Sequence, residues 1–293
     1  MNEPLITPTM NKEELAFILK QGEGQFVEFK ESFDKSIAKE IVAFANSQGG
    51  KILIGITDSQ EAKGINITNS LKSQVQDIAK HCDPSIKINM GEFENILIVE
   101  VKEGEDKPYA CGQGFFLRTG PNSQKLTRDE IIDFSISEGK IRFDEQINKE
   151  FAYPEDFDET KLDEYLKIAN LTKNITVEDI LVNLKVAKNI EGKLKFNNAG
   201  ILFFAKRPEK FFFVSKVVCA LYQGNEKLNI LDKKIFDNGI MSNLKEAINF
   251  VKQHTTVEFE IKTARRKEIP QFPEEAYREA IVNAVMHRDY YQK

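Results

Sequence analysis

The run FANSQGGKILIGITD at residues 44–58 constrains the fold more than any other stretch of the chain. The segment leading into it repeats Ile37, Ile41 and Ala45 at four-residue spacing, with Ala38 and Val42 beside them, and this predicts a helix over 34–47. Asp34 is the expected cap at its start. Gly49–Gly50 supply the left-handed residue that stops it. KILIGI (51–56) is apolar on both faces, as a central strand covered on both sides would be, and Asp58 follows it directly. Just upstream, QFVEFK (25–30) reads as a strand. Alternation places Phe26, Glu28 and Lys30 on one face and Val27 and Phe29 on the other.

The remaining pattern extends this unit and then changes character. A short helix is expected over 10–21, with Asn11 as its cap, and another over 70–81. Strands are expected from Ile86 and Ile88, over NILIVEVK (95–102) and over GFFLR (114–118), and a capped helix starts at Thr127. Residues 1–140 thus form a mixed α+β domain. Residues 141–190 are acid-rich, contain proline and hold two helical stretches, 159–170 and 176–185; they read as a helical connector. Residues 191–293 form a second α/β domain. In it NNAGILFFAKRPEKFF and KFFFV (210–214) are expected as strands, SKVVCALYQG (215–224) as another, and 239–253 as a helix with a stripe of Ile240, Leu244, Ile248 and Val251. VEFEIKT (257–263) is a strand, and PEEAYREAIVNAVMHRD a final helix.

Composition narrows the class. A formal net charge of −5 argues against a protein that coats nucleic acid nonspecifically, while 41 Lys and Arg leave room for a local basic groove. Cys82, Cys111 and Cys219 are too few and scattered for a disulfide framework or a zinc cluster, and free thiols fit a reducing compartment. The start, MNEPLITPTM, shows no basic region followed by an apolar one, and AGILFFA at 199–205 is far shorter than the ~20 residues a membrane helix needs. A cytoplasmic location without membrane attachment is expected. Gly49–Gly50–Lys51 lacks the spacing of a phosphate loop, so helix termination accounts for it better. HRD at 287–289 lacks the downstream Asn of a kinase loop. His81 and His254 have no partner at metal-ligand spacing.

Five segments together, EFKES (28–32), AFANSQGGKILIGITD (43–58), Gly64–Ile65, KPY (107–109) and FFLRTGPNS (115–123), resemble the Schlafen/AlbA-type nucleic-acid-binding domain in order and spacing. The later segments NNAGILFFAKRPEKFF (197–212), YQG (222–224) and REAIVNAVMHRDY (278–290) resemble the continuation in Schlafen-like transcriptional regulators, where the last opens a histidine-kinase/Hsp90-like (GHKL) ATPase domain. That resemblance implies ATP and magnesium roles for Glu279 and Asn283, which sit four residues apart on one helix face, although no glycine-rich ATP box accompanies them.

For the first domain the resemblance implies a carboxylate triad like that of Schlafen-family ribonucleases: Glu23 and Glu28, five positions apart, with Asp58 after the strand. Clustered carboxylates suit Mg²⁺ or Mn²⁺, and such a metal would neutralise the scissile phosphate and activate the attacking group. Lys30 would stabilise the leaving oxygen, and Lys51, Lys107, Arg118 and Asn122 would hold the backbone of a tRNA-like RNA or of DNA. The expected function is a divalent-metal-dependent endoribonuclease, with a homodimer as one assembly. The alternative is a DNA-binding transcriptional regulator with an incomplete GHKL module and no nuclease activity. On a plainer view Glu28 and Lys30 are an ion pair and Asp58 is a turn residue.

Overall fold

The computed structural model describes residues 10–291 apart from 225, 256 and 262–265. The chain divides into two compact units, Met1–Ile141 and Arg142–Lys293. Both mix helices and strands, an α+β architecture.

In the first unit, α1 (Lys12–Gln21) starts at Asn11, whose side chain accepts the Glu14 amide at 2.8 Å. Strand β1 (Val27–Lys30), helix α2 (Ile37–Asn46) and strand β2 (Gly50–Ile54) then form a parallel crossover unit, with Glu28 paired to Ile52. Helix α3 (Asn69–Lys80) and strands β3 (Ile88–Phe93) and β4 (Ile96–Val101) complete a four-stranded sheet in the order β1-β2-β4-β3. A second, three-stranded sheet joins β5 (Ala110–Cys111), β6 (Gly114–Thr119) and β7 (Asn122–Lys125). Helix α4 (Arg128–Ser137) closes the unit with a reciprocal capping box between Thr127 and Glu130.

The doubly apolar character of β2 has the expected cause. Ile52 and Ile54 pack with Ile41, Phe44, Leu97 and Val99 beneath α2, while Leu53 packs with Leu15, Phe29 and Ile98 on the α1 side. One detail of α2 differs from the sequence expectation. The helix begins at Ile37 with Ser36 in the cap position, and Asp34 instead accepts the Ser36 amide at 2.6 Å, forming a turn ahead of the helix.

The two glycines that end α2 serve different needs. Gly49 has φ +77, the left-handed geometry of a helix stop, and its amide bonds back to the Phe44 carbonyl at 3.0 Å. Gly50 is glycine for want of space, since a Cβ there would stand 2.4 Å from the Phe44 ring.

The second unit gathers around Phe151, Phe157, Leu162, Leu166, Leu181, Phe196, Ile201 and Phe204. Its elements are α5 (Glu159–Ile168), α6 (Val177–Asn183), the hairpin β8 (Ala187–Ile190) and β9 (Lys193–Phe196), and α7 (Asn198–Phe204). They are followed by the hairpin β10 (Val217–Gln223) and β11 (Asn229–Phe236), α8 (Ile240–His254), the hairpin β12 (Val257–Ile261) and β13 (Arg266–Pro270), and α9 (Glu274–Met286). Residues from the segment 141–190 supply Phe151, Phe157 and Leu162 to this core.

Three sequence expectations are corrected here. AGILFF is helical, because Asn197 caps it by accepting the Gly200 amide at 2.9 Å and its apolar residues point inward from a helix rather than a strand. KFFFV forms short 3₁₀ turns, with Phe213 70% exposed, and not a core strand. The buried stripe of α8 is Ile240, Asn243, Ala247 and Phe250, rotated from the expected one because Asn243 is drawn inward to donate to the Ser215 carbonyl at 3.1 Å. Of the strand expected over 257–263, residues 262–263 lie outside the described ones.

Gly50→Ala is expected to lower unfolding free energy by about 1–3 kcal/mol through overpacking against Phe44. Urea melts read this directly, and an unchanged midpoint would show that Phe44 yields without cost.

Candidate nucleic-acid interface

The site is built on the face of β1 that looks toward α2. Glu28 and Phe29 are both buried, but they point to opposite sides: Phe29 enters the apolar layer under α1, and Glu28 meets Arg118 from β6. The Arg118 side chain is wholly buried. Its Nη1 donates to Glu28 Oε2 at 2.8 Å, to Ser123 Oγ at 3.1 Å and to Glu40 Oε2 at 3.4 Å. Its Nη2 donates to the carbonyls of Gly24 and Val27 at 2.8 and 3.0 Å, and Nε to Gly24 at 3.2 Å. The guanidinium lies over the Phe44 ring, 4.8 Å from its centroid. Lys30 pairs with Glu28 and lies 3.5 Å from Glu40, and the Ser123 hydroxyl donates to Glu40. Lys39 also lies 3.5 Å from Glu40, so the two acids meet three cations, as largely buried carboxylates require.

The rest of the β6–β7 turn is held by main-chain partners. Gln25 donates to the Arg118 carbonyl at 3.3 Å and accepts the Gly120 amide at 2.8 Å. Two residues of the FANS run have structural roles. Asn46 donates to the Tyr109 and Phe116 carbonyls at 2.9 and 2.8 Å and accepts the Tyr109 amide at 2.7 Å. Ser47 accepts the Arg118 amide at 3.0 Å.

The structure does not gather the expected triad. Glu23 is exposed, and its carboxylate accepts the Phe29 amide at 2.8 Å, covering a donor on the edge strand β1. Glu28 is held by Arg118 and Lys30, and Asp58 is exposed in the turn after β2. Among the described residues no three His, Cys, Asp or Glu side chains are grouped to hold a metal ion. A carboxylate that already accepts from a buried guanidinium and an ammonium is a poor cation ligand, so the residues present do not fit a bound Mg²⁺ or Mn²⁺.

Two of the residues expected at the nucleic-acid backbone have partners within the unit. Arg118 is spent on internal bonds, and Lys107 is 9% exposed, with its ammonium 2.6 Å from Glu103. Asn122 is exposed at the start of β7. Lys51 is half-buried, 3.3 Å from Glu14, and lines an open groove of about 450 Å³ together with Phe26, Gly49, Gly50 and Lys102. Phe26 is 53% exposed, a large aromatic left in solvent beside two lysines. Alternation in the sequence places Phe26 on the face of the buried Glu28, yet its ring is exposed because it precedes β1, the edge strand of the sheet. On α9, Glu279 and Asn283 are both exposed.

Titration follows from the burial. Desolvation pushes the Glu28 carboxyl above its ordinary value, with the Glu40 charge adding to it and the bonds from Lys30 and Arg118 opposing it. Burial pulls Lys30 down, but the hydrogen bond and charge of Glu28, with the charge of Glu40, outweigh it and leave its pKa raised. Cys82 is pushed up to about 12, first by burial and then by Cys111, which makes it an unreactive thiol.

The first unit thus combines a charge cluster buried under a β-hairpin with an open groove lined by Phe26, by Lys51 and Lys102, and by Glu100 and Glu103. Residues 23–127 match the family model described as Schlafen, AlbA_2. No curated protein matches the chain. Among solved structures, the DIP2311 protein from Corynebacterium diphtheriae is similar at 17% identity with a TM-score of 0.42; the match covers 92% of this chain and 57% of that one. The chain thus spans less than two thirds of that protein's length. Among the described residues no helix is long and apolar enough to cross a membrane.

Arg118→Met is expected to cost about 3–5 kcal/mol, since it strands two buried carboxylates. Urea melts measure it, and a loss below about 1 kcal/mol would show that water replaces the guanidinium freely. The sign for Lys30 is equally definite. A raised lysine pKa contributes stability that is complete below the unfolded value of about 10.4 and is lost as pH rises through the folded one. Lys30→Met should therefore lack part of the wild-type alkaline loss of stability, as followed by thermal melts across that range. Glu28, with its raised pKa, has the opposite dependence to an ordinary paired carboxylate: its ionisation opposes folding, and acidification through its range removes no stability.

Proposed function

We propose that the first unit binds nucleic acid along the groove formed by Phe26, Gly49, Gly50, Lys51 and Lys102, and that it takes unpaired RNA or DNA in preference to duplex. The observation that carries this is Phe26, an exposed aromatic that lines one groove with Lys51 and Lys102, and with Glu100 and Glu103 at its side, within the segment matched by the Schlafen, AlbA_2 model. An exposed ring gives a base a surface to stack on, and lysines beside it give the phosphates their counter-charge without reading sequence. Stacking on a free ring favours bases already out of a helix, such as loops and ends of structured RNA. The turn 119–122 stands next to this groove's strand through Gln25 and offers Asn122 as a further polar contact.

The role of the acidic cluster in this proposal is to set the geometry of β1, α2 and the β6–β7 hairpin. Metal-dependent cleavage of a tRNA-like substrate would need Glu23, Glu28 and Asp58 at one point, and that requirement separates it from binding alone.

Fluorescence anisotropy with a labelled single-stranded RNA, and with a duplex DNA of the same length, tests the proposal. Phe26→Ala should weaken binding to the single strand by about 1–3 kcal/mol, roughly fivefold to a hundredfold. The paired variant Lys51→Gln with Lys102→Gln should flatten the salt dependence by about 1–2 in slope. Equal binding by wild type and both variants would place the ligand elsewhere.

A further inference from the structure

We propose a second phosphate-contacting surface, on the β8–β9 hairpin of the second unit, which extends the nucleic-acid reading above and rests on it. The hairpin register pairs Ala187 with Phe196, Lys188 with Lys195, Asn189 with Leu194 and Ile190 with Lys193. Ala187 and Phe196 are buried and anchor one face in the core. Alternation puts Lys188, Lys195 and Lys193 together on the other face, with Ile190 among them. An isolated bridge between Ile147 and Asn197 brings the preceding segment, which carries the exposed Lys149, alongside the end of β9.

Lys149, Lys188 and Lys193 are exposed and Lys195 is half-buried, and among the described residues none of the four makes an ion pair. Nearby acids on α6 are engaged elsewhere: Glu178 accepts from the Tyr153 hydroxyl and Asp179 from the Thr176 hydroxyl, both at 2.6 Å. The single acid of the hairpin, Glu191, is at its tip, where it and Gly192 have φ of 52 and 74 as a tight two-residue turn requires.

A directly opposed Lys188–Lys195 pair is unfavourable in the free protein. A polyanion laid across the face removes that repulsion and releases its own counterions. The charge distribution agrees with this placement. Residues 1–141 carry 16 Lys and Arg against 22 Asp and Glu, whereas residues 142–293 carry 25 against 24. The first unit is thus the more acidic, and in the second the hairpin lysines are among the basic side chains without an ion pair. The structural alternative is that the lysines only protect a short hairpin from edge pairing.

The test compares the full chain with two triple variants of equal charge change. One is Lys188→Gln, Lys193→Gln, Lys195→Gln; the control is Lys80→Gln, Lys87→Gln, Lys167→Gln. Binding of a labelled single-stranded RNA is read from about 50 to 200 mM salt. The hairpin variant should bind on the order of tenfold more weakly at the lower salt, with its salt slope reduced by about 2, while the control stays near wild type. Its melting temperature should equal or exceed the wild-type value, because a like-charge pair is gone. A hairpin variant that binds as the control does, when Phe26→Ala is impaired, overturns this surface alone and leaves edge protection as its role. A wild-type chain that binds no nucleic acid overturns both this surface and the groove.

Discussion

The side chain of Arg118 is the tie on which the first unit depends. One guanidinium, wholly buried, reaches β1 through Glu28 and two carbonyls, α2 through Glu40, and its own hairpin through Ser123. A planar cation with five donors can satisfy such a set, whereas lysine cannot. The stacking of that cation on Phe44 links the same group to the apolar core, since Phe44 is also the ring that forbids any side chain at position 50. Charge balance, core packing and the double glycine are therefore one arrangement.

This arrangement explains what the residues that carry the resemblance do in the fold. EFKES, FANS, the double glycine and FFLRTGPNS supply Glu28, Lys30, Asn46, Ser47, Gly49, Gly50, Arg118 and Ser123, and all of them hold β1, α2 and the hairpin in place. A motif can be specific to a fold without being a catalytic site. The carboxylates looked like a metal set because spacing alone cannot show what a side chain already holds. Only the geometry reveals that Glu28 is occupied by a guanidinium and that Glu23 serves a strand edge.

Much of the fold was legible because periodicity and capping are local. The α2–β2 unit, the Thr127 capping box and the strand 96–101 follow from residues next to one another. What was not legible depended on distant partners. AGILFF has the composition of a buried strand, and only the Asn197 cap and the surrounding Phe cluster make it a helix. The rotation of α8 follows from one buried bond, Asn243 to Ser215, across 28 positions of chain. Phe26 alternates with core residues in sequence, and its exposure is decided by the end of the sheet, not by its neighbours.

Photocrosslinking of a thiouridine-substituted RNA to the full chain, with the attached peptides read by mass spectrometry, tests most directly whether the charge cluster is scaffold and the adjacent groove is the contact surface. Crosslinks in the first unit should fall on the peptides bearing Phe26, Lys51 and Lys102. Crosslinks confined to the peptide of Asp58, with none at Phe26, would contradict that division and return the acidic residues to the centre of the site.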